Sequence, residues 1–284
     1  MKAHWIIENF TDSEDYRELV QAVRDTGRDC FVMGRHNYFE FDPSSFKENE
    51  CVIAQGSIQM TKLMASRLPK GCFPIAYNSW NEFQCSVYYP KLSRFLFNDR
   101  NVFTTVAELK HAYLPFYEKF GREDVIFVRP DTGEKSFAGQ LLELHDFDSF
   151  WNNAIASSAQ ENDVIVVSTP KSIKGEWRFL CSKYNGGEII ASSTYRYEGK
   201  RTSVPGVPAG ARSACEAVLG EKHFPDSLFC IDICQDVDGD FWLLELTSFS
   251  SAGLYAMQKD LVAKRVSEIV EMEYQEHVKL AKLG

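Results

Sequence analysis

The sequence lacks three features that would each point to a particular class of protein. It has no cysteine pair spaced C-x-x-C, no histidine pair spaced H-E-x-x-H, and no uncharged apolar run near the roughly 18 residues of a membrane span. Its eight cysteines are scattered, and several lie in apolar, strand-like runs. We therefore expect buried, reduced thiols, and we expect neither a zinc site nor a membrane segment.

Positive charge is also in short supply. Lys and Arg number 31 against 40 Asp and Glu, which gives a formal net charge of -9. This argues against general nucleic-acid binding, which needs a surplus of Lys and Arg, although a local basic groove is still possible. The N-terminus turns acidic before any apolar run could serve as a secretory signal. The sequence thus predicts a cytoplasmic protein, or one in a host cytoplasm if it is viral.

The first part of the chain alternates short strands with helices. Strand candidates cover 4–7, 30–33 and 51–54, and helix candidates follow the first and the last of them. Thr11 and Glu14 have the spacing of a capping box at the start of the first helix. The second helix covers 58–68. This alternation predicts an open, mainly parallel sheet of βαβ type over about the first 90 residues.

The middle of the chain predicts a small lobe. Strand candidates cover 125–128, 137–144 and 164–168, with a helix at 148–156. After Pro170 the pattern becomes antiparallel, because strand candidates at 176–181 and 188–195 flank a hairpin turn of Asn and Gly residues. A final helix is predicted from about Gly253. Its predicted buried face comprises Leu261, Val262, Val266, Ile269 and Val270, and its predicted wet face includes Lys259, Lys264 and Glu268.

Two acidic residues lie within the otherwise apolar strands of a second hairpin, 229–234 and 241–246. Strand side chains alternate between faces, so Asp232 and Glu245 can lie side by side on one surface. Such a pair repels itself unless something positive lies between the carboxylates. One interpretation is that both face solvent at a sheet edge. The alternative is a magnesium site, because Mg²⁺ takes oxygen ligands from one or two carboxylates and from substrate phosphates.

Cations upstream favour the second interpretation. Arg129 and Lys135 flank a loop with Gly133 and Gly139 that could close over the phosphates of a nucleotide. Each cation alone could equally be a solvated surface charge. Further charged residues follow at strand ends and on one strand face, and these are Lys171, Glu176, Arg178 and Arg196.

Four ordered stretches carry a family resemblance: FVRPDTGEKSFAG, VIVVSTPKSIKGEWRFL, IIASSTYR and FCIDICQDVDGDFWLLELTSFSSAGLY. Together they resemble an ATP-grasp protein, in an uncharacterised bacterial and phage branch related to RimK-type ligases. The resemblance implies a mixed α/β (α+β) fold that clamps ATP between lobes. The expected lobes are an N-terminal βαβ lobe at 1–95, a small lid lobe at 96–170 and a C-terminal antiparallel lobe at 171–284.

The resemblance also implies roles for individual residues. Arg129 and Lys135 would reach the phosphates, and Glu176 would contact the nucleotide. Arg178 and Arg196 would neutralise the transferred phosphoryl group or hold a substrate carboxylate. The hinge that contacts adenine through its backbone would comprise Val167, Ser168, Thr169 and Lys171. The magnesium ligands would be Asp232, Glu245 and Thr247.

The implied activity is ATP- and Mg²⁺-dependent ligation of a small-molecule or peptide carboxylate to an amine through an acyl phosphate. Thr247 departs from the family pattern, in which Asn follows Glu245 by two positions. A hydroxyl is a weaker magnesium ligand than an amide oxygen. Two alternatives therefore stay open, namely a nucleotide-binding module without ligation and a phosphotransferase that acts on a hydroxyl.

Overall fold

The computed structural model describes residues 1–9, 13–34, 41–134, 136–152 and 159–282. The first part forms a four-stranded parallel sheet, called here the parallel sheet, in the order β2-β1-β3-β4. Its strands are β1 (His4–Glu8), β2 (Cys30–Met33), β3 (Cys51–Gln55) and β4 (Phe73–Ile75). The helices are α1 (Glu14–Asp25) and α2 (Ile58–Arg67). The predicted βαβ arrangement is confirmed.

The two helix starts can be compared with their predicted signals. Ser57 caps α2, because its hydroxyl oxygen accepts a hydrogen bond from the Met60 amide at 3.1 Å. Helix α1 follows Ser13, whose side chain makes no capping hydrogen bond. Thr11 of the predicted capping box lies outside the described residues.

A second sheet, called here the small sheet, has the strand order β5-β8-β6-β7 with antiparallel neighbours. Its strands are β5 (Asn101–Thr105), β6 (Val125–Pro130), β7 (Gln140–Glu143) and β8 (Val164–Ser168). The helices of this part are α3 (Cys85–Tyr88), α4 (Val106–His111), α5 (Leu114–Phe120) and α6 (Phe147–Asn152). Strand β7 is shorter than predicted, and residues 153–156 of the predicted helix lie outside the described part of the chain.

The last part forms a five-stranded antiparallel sheet, called here the large sheet, in the order β11-β10-β9-β12-β13. Its strands are β9 (Ile173–Ser182), β10 (Glu188–Tyr197), β11 (Lys200–Pro205), β12 (Leu228–Asp236) and β13 (Phe241–Ser248). The helices are α7 (Ala209–Gly220) and α8 (Lys259–Ala281). Both predicted hairpins are confirmed. The edge strand β11 was not predicted, because its residues are mostly exposed and polar.

The two faces of the large sheet pack against different partners. Trp177, Phe179 and Ile231 are buried in one cluster with Cys215 of α7. Leu180 belongs to another cluster, which joins the opposite face to the parallel sheet and α8. Because side chains alternate along a strand, Arg178 shares the face of Leu180. One core thus connects the first and last parts of the chain, and the domain boundaries at 95 and 170 stay predictions.

Helix α8 differs from its prediction in its first turn. It begins at Lys259 and not near Gly253. Val262, Val266, Ile269 and Val270 are fully buried as predicted, but Leu261 is 42% exposed. Lys259, predicted to be wet, is buried, and its ammonium lies 3.8 Å from Asp15 Oδ1. The 3.6-residue period therefore identified the buried face of the helix. It did not predict the burial of Lys259, because α1 packs over that side of the helix.

The cysteines and the helices bear on the expectations of reduced thiols and of no membrane segment. All eight cysteines lie in the described residues and are free thiols, and all except Cys30 are buried. Among the helices of the described ranges, none combines the length and the apolar character that crossing a bilayer requires.

Phe249 provides a test of the shared core. Its fully buried ring makes an edge-to-face contact with Trp5, which lies in the parallel sheet, and the ring centres are 6.4 Å apart. We expect Phe249→Ala to lower the free energy of unfolding by about 3–5 kcal/mol, because a large cavity opens between the sheets. Urea denaturation measures the loss. The control is Leu261→Ala at the exposed position, which should change stability by about 0.5 kcal/mol or less. Equal losses for the two variants would contradict the assignment of the core.

Candidate functional site

A cavity of about 310 Å³ lies between the β6–β7 hairpin of the small sheet and the large sheet. The small sheet contributes Phe127, Arg129 and Gly139 to its wall. The large sheet contributes Glu176, Tyr195, Arg196 and Glu245. The fold therefore places four of the predicted site residues in the wall of one cavity, namely Arg129, Glu176, Arg196 and Glu245.

Two β-bulges shape this cavity. In β13, Glu245 pairs with Asp232 and Leu243 pairs with Ile233, so Leu244 is an extra residue. In β10, the register likewise shifts between Thr194 and Arg196, which leaves Tyr195 as the extra residue. A bulge lets consecutive residues share a face. Leu244 with Glu245, and Tyr195 with Arg196, thus line the same cavity.

Three charged residues form a row across neighbouring strands of the large sheet. Asp232 of β12 pairs in register with Arg178 of β9 and with Glu245 of β13. Arg178 donates two hydrogen bonds to Asp232, Nε to Oδ1 at 2.7 Å and Nη2 to Oδ2 at 2.6 Å. The Asp232 side chain is fully buried. Burial acts against the charge on Arg178, but Asp232 outweighs it and holds the pKa of the guanidinium above its ordinary value.

An ion pair also crosses the cavity from the small sheet to the large sheet. Arg129 Nη2 donates a hydrogen bond to Glu245 Oε2 at 2.9 Å. Both side chains are mostly buried, with 13% and 16% exposed. A charge pair shielded from solvent is stronger than an exposed one, but it also carries a larger desolvation cost. The pair fixes the two sheets relative to each other at the cavity.

Two tyrosine rings frame Arg178. The rings of Tyr195 and Tyr255 stack with centres 5.1 Å apart, and Arg178 Cζ lies 5.4 Å from each ring centre. Arg178 Nη1 also donates to the Gly253 carbonyl oxygen at 3.3 Å. These contacts are within the range of cation–π attraction. The sequence did not predict either tyrosine as a site residue. Tyr195 lies at a bulge and Tyr255 in a loop, and neither kind of position is marked by a periodic sequence pattern.

Glu176 lies between Tyr195 and Arg196. The Tyr195 hydroxyl donates a hydrogen bond to Glu176 Oε2, and Arg196 Nε lies 3.4 Å from Oε1. Burial raises the pKa of the Glu176 carboxyl above its ordinary value of 4.5. The hydrogen bond from Tyr195 and the charge of Arg196 oppose that rise, whereas nearby carboxylates add to it.

The predicted hinge divides into two parts. Ser168 pairs with Phe127, which lines the cavity, and Val167 and Ser168 are fully buried. Lys171 instead donates hydrogen bonds to the Phe97 carbonyl oxygen and the Asp99 carboxylate. It lines a separate cavity and not the one that holds Arg129. Lys135 lies outside the described residues.

Two hydroxyl groups of the predicted hinge are buried without partners. In the described part of the chain, the buried hydroxyl oxygens of Ser168 and Thr169 have no hydrogen-bond partner. Buried polar atoms normally have partners, and Ser168 is the strand neighbour of Phe127, which lines the cavity. Arg129 and Arg196 provide the positive charge that phosphates need.

The predicted metal set does not fit as a set. Both oxygens of Asp232 are engaged by Arg178, whereas a magnesium ligand needs an oxygen that faces the ion. The Thr247 hydroxyl oxygen is buried and has no hydrogen-bond partner among the described residues. Glu245 lines the cavity. Asp232 and Glu245 are in-register neighbours, and of the three predicted ligands it is Glu245 that lies in the wall of this cavity.

Comparison with known proteins identifies the class. The family model described as the ATP-grasp domain of R2K clade family 2 matches residues 97–265, more than half of the chain. The protein is thus an ATP-grasp protein. More narrowly, it belongs to family 2 of the R2K clade.

Solved structures show the same fold at low sequence identity. An ATP-grasp RimK domain protein from Sphaerobacter thermophilus is 12% identical, with a TM-score of 0.57, and 96% of this chain and 98% of that chain are covered. The ATP-grasp ligase PsnB, complexed with a minimal precursor, is 11% identical with a TM-score of 0.57, covering 95% and 100%. The D-alanine–D-alanine ligase from Coxiella burnetii is 10% identical with a TM-score of 0.61, covering 99% of each. No curated protein matches the chain in sequence.

These findings confirm the predicted family and fold. The RimK domain neighbour is consistent with the expected relation to RimK-type ligases. The roles of individual site residues are a separate question, because a shared fold does not assign them.

The raised pKa of Glu176 predicts a pH effect on stability. A carboxyl with a higher pKa in the folded state binds more protons there, so its contribution to stability is lost as pH rises from 4.5 through the folded value. Glu176→Gln removes this titration and keeps an oxygen acceptor for Tyr195. We expect the free energy of unfolding of the variant, relative to wild type, to increase with pH over that interval.

Urea denaturation at a series of pH values measures this difference. The control is Glu216→Gln, which changes a 54% exposed carboxylate paired with Arg212 at 3.0 Å. It should show no comparable trend, because an exposed pair contributes little. A flat or falling difference for Glu176→Gln would contradict the assigned pKa shift.

Proposed function

We propose that the protein is an ATP-dependent ligase that joins a carboxylate to an amine. The observation that carries this proposal is the cavity between the two sheets, where Arg129 and Arg196 face Glu176 and Glu245. Membership of the ATP-grasp family supports it. Structural neighbours that are ligases, including PsnB complexed with a minimal precursor, Mg and ADP, are consistent with it.

In this proposal ATP binds in the cavity with its phosphates against the cations. Arg129 and Arg196 would neutralise phosphate oxygens, and Lys135 is proposed to join them. The strand end at Val167, Ser168 and Thr169 would lie against the adenine, and the unpaired hydroxyls of Ser168 and Thr169 would gain partners. Glu176, held by Tyr195, would contact the nucleotide. Lys171 belongs to this set only through its backbone, since its side chain is engaged elsewhere.

The proposed chemistry has two steps. An oxygen of the substrate carboxylate attacks the γ-phosphorus of ATP, the bond to the β-phosphate oxygen breaks, and ADP leaves. The amine nitrogen then attacks the acyl carbon, phosphate departs, and the nitrogen loses a proton to solvent. Arg178 and Arg196 would stabilise negative charge on the transferred group or hold the substrate carboxylate. No covalent bond to a side chain is needed.

Two further parts of the proposal concern the partners. The substrates would be a small-molecule or peptide carboxylate and an amine, which agrees with a neighbour complexed with a precursor peptide. Glu245, the carboxylate of the predicted set that lines the cavity, would hold Mg²⁺, which would neutralise charge on the ATP phosphates. The cytoplasmic location stays a prediction.

A second candidate function is nucleotide binding without ligation. Two observations favour it, namely the threonine at 247 and the engagement of Asp232 by Arg178. Both reduce the oxygen ligands available to a metal ion. Isothermal titration with ATP, with and without Mg²⁺, separates the two functions. Tight binding without ADP release across substrate pools would favour the binding module.

The ligase proposal is tested by following ADP release. Purified protein receives ATP, Mg²⁺ and pools of amino acids or short peptides, and release should require both a carboxylate and an amine. Hydroxylamine in place of the amine should trap the acyl phosphate as a hydroxamate. A phosphorylated hydroxyl product without free phosphate would instead identify a phosphotransferase. No ATP binding at all would contradict both candidate functions.

The role of Arg129 gives a quantitative prediction. Arg129→Met should weaken ATP binding by about tenfold to a hundredfold, because a hydrogen bond to a charged group is worth roughly 1.5–3 kcal/mol. The matched control is Arg94→Met, which makes the same change at a 71% exposed arginine paired with Glu221. It should leave ATP affinity unchanged. Equal effects of the two substitutions would remove Arg129 from the proposed site.

A further inference from the structure

The guanidinium of Arg178 occupies a particular place between two carboxylates. Its Nη2 lies 2.6 Å from Asp232 Oδ2 and 3.9 Å from Glu245 Oε1. Asp232 and Glu245 are in-register neighbours on adjacent strands. The positive charge that such a pair requires is therefore supplied by a side chain of the same sheet, in the position where a bridging ion would lie.

Each carboxylate of this cluster has an arginine partner among the described residues. Asp232 pairs with Arg178, and Glu245 pairs with Arg129 at 2.9 Å. All four side chains are at least four-fifths buried. A metal ion added between the carboxylates would have to displace a guanidinium from a shielded, bidentate contact. That contact combines two charge-assisted hydrogen bonds, which makes displacement costly.

We infer that Asp232 is a positioning residue that fixes Arg178, and that it is not a metal ligand. In this arrangement Arg178 takes the place between the carboxylates that the sequence pattern assigns to a metal ion. The inference concerns the architecture of the site, and its link to catalysis rests on the proposed ligase function.

The surroundings of Arg178 leave it little freedom to move. Nε and Nη2 are held by Asp232, Nη1 by the Gly253 carbonyl, and the rings of Tyr195 and Tyr255 lie 5.4 Å from Cζ. Strand register sets Arg178 opposite Asp232. A guanidinium has five N–H donors, and these hydrogen bonds use three of them. Arg178 is only 6% exposed, so its guanidinium is held as a fixed positive charge beside Glu245.

The first test uses the unmutated protein. The Nε–H proton of Arg178 is followed by NMR with isotope-labelled arginine, and Arg178→Lys identifies its signal. In a bidentate pair this proton exchanges slowly with water. We expect its protection to persist when Mg²⁺ is added alone and with a non-hydrolysable ATP analogue. Loss of protection with either addition would overturn the inference, because it would mean that the ion displaces Arg178 from Asp232.

The second test measures Mn²⁺ binding by electron paramagnetic resonance. Without nucleotide, Arg178→Gln should bind Mn²⁺ about tenfold or more tightly than wild type, since Asp232 and Glu245 then lack the cation between them. With the ATP analogue present, Glu245→Gln should weaken Mn²⁺ binding by about tenfold, and Asp232→Asn should leave it nearly unchanged. An equal loss for Asp232→Asn and Glu245→Gln would overturn the inference, as would an Arg178→Gln variant with wild-type affinity.

The two tests also separate this inference from the proposed function. A protein that does not bind the ATP analogue would contradict the ligase proposal, whereas the measurements with Mg²⁺ and Mn²⁺ alone would still decide the role of Asp232. If a substitution prevents folding, the NMR measurement on the unmutated chain decides it. If Asp232 served only to stabilise the fold, replacing Arg178 would not create a Mn²⁺ site.

Discussion

Two carboxylates on neighbouring strands of the large sheet repel each other, and guanidinium groups from the large and the small sheet hold them in place. Asp232 and Glu245 would be costly to bury as bare charges. Arg178 and Arg129 offset part of that cost, one from within the large sheet and one from the small sheet. The relative position of the two sheets therefore depends on the same charges that define the cavity.

The parallel sheet stabilises this arrangement from the other side. The Gly56 amide donates to the Ser250 carbonyl at 2.8 Å, and the Gln55 side chain donates to the Ala252 carbonyl at 2.6 Å. These bonds hold the segment that follows β13, which contains Gly253 and Tyr255. Tyr255 has a positive φ of 47°, an unfavourable conformation for a bulky residue. Packing between sheets thus supports the backbone that frames Arg178.

Much of this architecture could be predicted from the sequence, because periodic patterns report strands, helices and faces. The hairpin with Asp232 and Glu245 in register and the shared face of Glu176 and Arg178 follow from alternation along strands. Bulges break that alternation, so Tyr195 and Leu244 could not be assigned to the cavity. Nor could a linear pattern choose between a metal ion and Arg178 as the partner of Asp232, because that choice depends on contacts between distant strands.

The ion pair between Arg129 and Glu245 has a consequence for the selectivity of the cavity. Without a ligand, Arg129 of the small sheet already has Glu245 as its counter-ion. An incoming anion must compete with that carboxylate, so a single weak charge gains little by binding. An anion with several charged oxygens that also contacts Arg196 in the same cavity wall gains further interactions, which offset the loss of the internal pair. We therefore expect affinity in this cavity to rise with the number of contacts that a ligand makes at once.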